Sequence, residues 1–239
     1  MTDAHSSNGK WVGGLPAVMT VGKAARRVLG VRLAAVREAI PAASNWGPDA
    51  EPVHHLRVTA RRAGAALDAF DDLLPKKARR KSRNALKRLR RAAGDARNAD
   101  VILDGIRTWS VHQSPADRPG LQFLLGHAFA AREAAQERLA AALKEWESKA
   151  ADKVYALPDL CRSGDKDSLG GRAAPTLTKL LDKLESAAQD NLDDYQKLHA
   201  VRIQAKRLRY AVELFIDCYP PAVREQAYAF LDRHLRGDR

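Results

Sequence analysis

The chain contains one stretch twice. Residues 53–70 read V-H-H-L-R-V-T-A-R-R-A-G-A-A-L-D-A-F, and residues 198–215 read L-H-A-V-R-I-Q-A-K-R-L-R-Y-A-V-E-L-F. In one constant register His54 aligns with His199, Arg57 with Arg202, Arg61 with Lys206, Arg62 with Arg207 and Phe70 with Phe215. Such a register marks an internal duplication, and a duplicated unit constrains the fold before any local propensity is weighed. The cationic pattern repeats along with the apolar one.

With His54 at zero on a helix turning roughly 100° per residue, Arg57 falls at ~300° and Arg61 at ~340°, and Arg62 flanks them at ~80°. Leu56, Ala60, Ala63, Leu67 and Phe70 gather on the opposite side and form a core stripe. In the second copy His199, Arg202 and Lys206 share one face, which Arg209 extends. Val201, Ala205, Leu208, Val212 and Phe215 form its core stripe. Both histidines therefore lie among cations, opposite the apolar stripe, which weighs against their being ordinary core residues. A solvated face is the plain alternative. Like charges three or four residues apart repel by a few tenths of a kcal/mol, however, so a merely solvated face is expected to mix in acids. These faces are read as lacking them, in both copies, which points to a bound anion. Guanidinium forks grip phosphate in pairs of hydrogen bonds, lysine adds a point charge, and imidazole donates through either nitrogen.

The rest of the chain also reads as helix. Residues 16–40 form a first amphipathic helix and residues 41–52 a loop marked by Pro41, Ser44, Asn45, Gly47, Pro48 and Pro52. The first copy is expected to run to about Leu74, where Pro75 stops it. Residues 76–91 are the densest basic run. Gly94 and Asp95 interrupt the pattern, which resumes to Trp109. An alanine-rich helix over 120–149 follows a loop at 114–119, and residues 158–175 read as a linker. Further helices cover 176–191, the second copy, and the stretch after Pro220 and Pro221 to Leu235. No stretch alternates with period two, so no sheet is expected. The expected organisation is a tail over 1–15, a first helical bundle over 16–157, the linker, and a second bundle over 176–239. That second bundle looks incomplete, because the chain stops at Gly237, Asp238 and Arg239 where the first half continues from Gly94. An open apolar face there would suit a homodimer.

Composition enters through charge. Lys and Arg number 41 against 29 acids, for a formal charge of +12. This favours an anionic partner: nucleic acid, an anionic membrane surface or a polyphosphate. Cys161 and Cys218 match no metal-ligand spacing and fit a reducing, cytoplasmic compartment. No metal and no cofactor is implied. The N-terminus lacks the apolar core of a signal peptide, and no run is long and apolar enough to span a bilayer.

The motif H-x-x-R-x-x-x-R-R beginning at His54, and L-H-x-x-R-I-x-x-K-R-L-R-Y-A-x-E-L-F over 198–215, resemble the CHAD domain, the conserved histidine α-helical domain. G-D-A-R-N-A-D-V, residues 94–101, resembles that family's G-x-x-R-D-x-D-V, with Arg97 and Asp100 retained and Asn98 in place of aspartate. The resemblance extends over about residues 16–239. It implies an all-α fold of two antiparallel four-helix bundles related by a pseudo-twofold axis. Both histidine helices would line a basic central groove or pore that binds inorganic polyphosphate. The family's binding positions map onto His54, Arg57, Arg61 and Arg62, and onto His199, Arg202, Lys206, Arg207 and Arg209. Gly64 stands where the second copy has Arg209. Lys23, Arg26, Arg27, Arg83, Lys87, Arg90, Arg91, Arg97, Lys179 and Lys183 are candidate extensions of the groove, each of which taken alone is equally well read as a solvated cation.

Three functions compete. The leading expectation is non-enzymatic binding of polyphosphate, in the cytoplasm or at polyphosphate or storage granules. Sequence-nonspecific binding of nucleic-acid phosphates is the second, through counterion release. It is less favoured because the binding faces carry few aromatics for stacking, Tyr210 being the nearest. The third is a histidine phosphoacceptor. No acid is placed to orient either imidazole within its own helical turn, and no glycine-rich phosphate loop precedes a helix.

Overall fold

Alanine, leucine and arginine are strong helix formers, and the chain is rich in all three. The computed structural model describes residues 12–45, 47, 49–163 and 167–234. Among them the helices are α1 (Val21–Ser44), α2 (Glu51–Ala69), α3 (Lys76–Ser110), α4 (Arg118–Lys149), α5 (Ala151–Tyr155), α6 (Leu169–Ala188), α7 (Tyr195–Phe215) and α8 (Pro221–His234). Short 3-10 turns follow α2, α5 and α7 and precede α4. No strand forms among the described residues beyond one isolated bridge between Thr20 and Ser168. The fold is all-α. The two sequence copies are α2 and α7. The chain's last five residues, and the expected tail up to residue 11, lie outside the described residues.

Several boundaries differ from the sequence reading, each for a local reason. α1 runs through Pro41 to Ser44 rather than stopping at residue 40. Pro41 falls in the last turns, where the one lost amide bond matters least, and Ser44 Oγ donates to the Ile40 carbonyl at 2.8 Å. α3 is unbroken at Gly94 and Asp95. A mid-helix glycine costs only about 1 kcal/mol against alanine, and α3 packs along α4. α6 begins at Leu169, inside the expected linker, and continues through Pro175. Ser168 caps it by accepting the Gly171 N–H at 3.1 Å. Gly170 lets its first turn close on residue 17, where any Cβ would lie 2.9 Å from that of Ala17.

The chain forms two compact units. One holds the described residues of Met1–Val31, Ala65–Pro75 and Leu157–Arg239, and the other Arg32–Gly64 and Lys76–Ala156. This differs from the expected division at 16–157 and 176–239, because α1 and α2 are each long enough to serve two cores in turn.

In the first unit Leu15, Val28, Leu29, Leu67, Phe70 and Phe215 are buried. Phe70 meets Phe215 edge to face, with centroids 6.4 Å apart. These two rings occupy the same position in the two sequence copies. Arg172 of α6 grips Asp72 through both oxygens at 2.8 Å, which holds the Asp72 carboxyl below the usual carboxylate range. Residues 12–15, expected to be part of the tail, are packed instead: Val12 and Leu15 are buried and Arg27 Nε donates to the Gly13 carbonyl at 2.9 Å.

In the second unit Leu33, Val36, Leu56, Leu89, Leu139 and Trp146 build the core. Trp146 Nε1 donates to Tyr155 Oη at 3.3 Å, and the Arg37 guanidinium lies over the Tyr155 ring at 4.0 Å.

Candidate functional site

The first cationic copy is set by how α2 is packed. All five stripe residues, Leu56, Ala60, Ala63, Leu67 and Phe70, are buried. Burial also spreads around one flank, to Val58, Thr59 and Ala66. Thr59 Oγ1 shares its hydrogen between the His55 and Leu56 carbonyls, both at 3.0 Å, so its hydroxyl is satisfied within the helix. Arg62 falls on that flank and is only 7% exposed. It is therefore not on an open surface. His54, Arg57 and Arg61 are half-buried. Gly94 of α3 lies beneath Arg57, where a Cβ would stand 3.6 Å from Arg57 Nε. The glycine that was expected to interrupt a helix instead lies against a guanidinium, at a distance where a Cβ would make an ordinary van der Waals contact.

The second copy is more open. His199, Arg202 and Arg207 are exposed, and Lys206 and Arg209 are half-buried. Its stripe residues Val201, Ala205, Leu208 and Val212 are half-buried, and only Phe215 is fully buried. Burial rises toward the C-terminal end of α7, where Tyr210, Ala211, Glu213 and Leu214 join Phe215.

Two features of α7 depart from the sequence reading. First, the cationic face does contain an acid. Arg209 Nε donates to Glu213 Oε1 at 3.3 Å, and the Glu213 side chain is wholly buried. In the repeat register Glu213 aligns with Asp68, so each copy carries a carboxylate beyond its cations, one turn after Arg209 in the second copy and nearly two after Arg62 in the first. Second, the aromatic at the site is Tyr195 and not Tyr210. Tyr210 is buried, whereas Tyr195 is 73% exposed and stacks on His199 with centroids 6.3 Å apart and planes 24° apart. Tyr195 precedes His199 by one helical turn, which places it on the cationic face.

Arg207 occupies a mixed environment. Its Nη1 donates to Gln204 Oε1 at 3.4 Å, and it lines a cavity of about 470 Å³ with Asp182, Lys183 and Asp190. The two carboxylates there offset the two cations.

The family model of the CHAD domain matches residues 27–232. The chain belongs to the CHAD domain family. Among the solved structures that share its fold are the following two. The CHAD domain from the plant Ricinus communis is 24% identical, with a TM-score of 0.67 over 93% of this chain and 75% of that one. PptA from Streptomyces chartreusis is 21% identical, with a TM-score of 0.62 over 91% of this chain and 82% of its own. No curated protein matches the chain. Both His-x-x-Arg copies lie within the matched CHAD span.

The outlying cations of this CHAD chain divide by what they hold. Arg26 Nη2 donates to the Cys161 carbonyl at 3.0 Å and to Ser163 Oγ at 3.2 Å. Arg26 and Arg27 thus tie down backbone. Lys23 of α1, Lys179 and Lys183 of α6, and Arg83, Lys87, Arg90 and Arg91 of α3 are exposed. Arg97 lines a cavity of about 490 Å³ with Asp49, Asp100, Asp104, Arg107 and Arg132. There Arg132 Nε pairs with the buried Asp100 at 2.7 Å, so the retained acid of the G-D-A-R-N-A-D-V segment anchors α4 to α3. Burial raises the Cys161 thiol above its usual value and pushes Cys218 up to about 11, so neither is an activated nucleophile. Among the described residues no cluster of histidine, cysteine, aspartate or glutamate could hold a metal, and no helix is long and apolar enough to cross a membrane.

Proposed function

We propose that this CHAD chain binds inorganic polyphosphate through the cationic faces of α2 and α7, as a binding module without a catalytic step. The observation that carries the reading is α7, where His199, Arg202 and Arg207 are open to a ligand beside the half-buried Lys206 and Arg209. Polyphosphate is a dense line of charge without bases. Guanidinium, ammonium and imidazole donors suffice to hold it. On α2 the half-buried His54, Arg57 and Arg61 present the same donor types in the same register. The resemblance to polyphosphate-binding family members points the same way.

One observation favours a second reading, single-stranded nucleic acid. Tyr195 is exposed and stacked on His199, which is a platform of the kind bases stack on. Competition separates the two. Long-chain polyphosphate is expected to displace a labelled oligothymidylate at equal phosphate concentration. Substituting His199→Ala with Arg202→Ala is expected to weaken polyphosphate binding by about tenfold or more, since a charge-assisted hydrogen bond is worth ~1.5–3 kcal/mol. Tyr195→Ala should leave polyphosphate affinity within about twofold, because base stacking contributes nothing to a ligand without bases. Failure to displace the oligonucleotide, or a larger loss for it than for polyphosphate in the double variant, would establish the nucleic-acid reading in its place.

A further inference from the structure

The first half of α3 carries the densest positive charge in the chain, and most of it faces solvent. Residues 76–91 contain ten lysines and arginines and no acid, over about 24 Å of helix. With Leu86 at zero and roughly 100° per residue, the buried Leu86, Leu89, Ala93 and Ala96 gather between ~280° and ~360°. Lys76, Arg80 and Lys87 fall between ~80° and ~120°, and Lys77, Lys81 and Arg88 between ~180° and ~220°. Asn84 and Arg91 lie between these flanks, at ~160° and ~140°. All of these outward residues are exposed, and every exposed residue of the stretch is polar. They form one continuous face of a single helix, with cations along both edges. Lys76 and Arg80, Lys77 and Lys81, and Lys87 and Arg91 each stand one turn apart and repel. Arg88 comes within 3.7 Å of Glu145 of α4, but both side chains stay in solvent, where such a pair holds little. A bound polyanion relieves that repulsion.

We infer that double-stranded DNA docks on this face, with the first half of α3 lying along the major groove. Size permits it, since a major groove ~12 Å wide admits a helix of ~10–12 Å diameter. Cations on two flanks of one helix then reach the phosphates of both strands. Asn84, between the flanks, is turned toward base edges, where an amide pairs with adenine through two hydrogen bonds. A single polyphosphate chain follows one line of donors and leaves the other flank without a partner. A membrane surface suits the face less, because an interfacial helix inserts apolar side chains and none is exposed here. Double-stranded RNA also suits it less, because its major groove is too deep and narrow to receive side chains. Lys76, Lys77, Arg80, Lys81 and Arg88 belong neither to the residues read as polyphosphate ligands nor to the candidate groove extensions. The inference therefore stands apart from the polyphosphate reading.

Fluorescence anisotropy of the full chain with a labelled DNA duplex of about 20 base pairs, roughly two helical turns, tests the inference. Lys77→Ala with Lys81→Ala and Arg88→Ala should weaken duplex binding by about tenfold or more. It should also make the salt slope shallower by about two to three units, roughly one for each lost phosphate contact. Alanine is the strongest helix former, so helical circular dichroism should be unchanged. The same variant should keep polyphosphate affinity within about threefold, because the donors of α2 and α7 are untouched and only the general field is reduced. An RNA duplex of the same sequence should bind more weakly than DNA. Absence of duplex binding at low salt overturns the inference. So does duplex binding that is indifferent to the triple variant, or that is lost in His199→Ala with Arg202→Ala instead. RNA bound as tightly as DNA, or vesicles rich in phosphatidylserine bound in preference to the duplex, overturns it as well. A loss of polyphosphate affinity as large as that of the duplex would make α3 an arm of the polyphosphate groove rather than a DNA site.

Discussion

A carboxylate with no access to water depends on its neighbours for its charge, and Glu213 is such a group beside Arg209. Its position on the cationic face explains how crowded guanidinium groups are tolerated at the end of α7. Arg209 is 11% exposed in its side chain and is held from the side facing the core. It thus contributes positive potential from a fixed position. Glu213→Gln keeps the shape and one acceptor but removes the charge. It is expected to lower stability by about 1–3 kcal/mol, the cost of an imperfectly matched buried polar group. A urea midpoint shifted at constant slope would report it. Polyphosphate affinity of the folded protein should hold or rise, because a negative charge has left the face. A fall in affinity would mean instead that the carboxylate aims Arg209 at the ligand.

Helices α2 and α7 come from one sequence pattern but are packed differently, and their stability should respond accordingly. Phe70 and Phe215 are both fully buried and meet edge to face. Phe70→Ala is expected to cost about 3–5 kcal/mol through lost transfer energy and the cavity left behind. Val201→Ala, on the half-buried part of α7, should cost well under half of that in the same chemical denaturation. Equal losses would mean that Val201 is more enclosed than its exposure indicates. The periodicity made the α2 stripe legible residue by residue, from Leu56 to Phe70, since a helix has one angular repeat. It could not reveal that Arg62 is buried, because a wheel drawn for one helix carries no information about what packs on its other flank. Nor could it foresee that helices run through Pro41, Gly94 and Pro175, where local breakers give way to packing and capping. Tyr195 was legible in principle, one turn ahead of His199, but it lies just outside the repeated stretch. The passage of α1 and α2 from one compact unit to the other was not legible, since apolar spacing says which side of a helix is buried and not which core receives it.

For the molecule as a whole, polyanion binding is expected to answer steeply to salt. Polyanion binding replaces counterions with lysine and arginine, so its affinity falls with the logarithm of salt concentration, with a slope of roughly −0.7 to −0.9 per phosphate neutralised in nucleic acids. A chain of +12 with open cations at Arg202 and Arg207 should lose at least about tenfold in polyphosphate affinity between about 50 mM and about 200 mM salt. Arg202→Ala should make the slope shallower by roughly one unit, since it removes one phosphate contact. Binding isotherms on one preparation across that salt range measure the slope. A flat polyphosphate slope would remove the electrostatic basis of the binding reading.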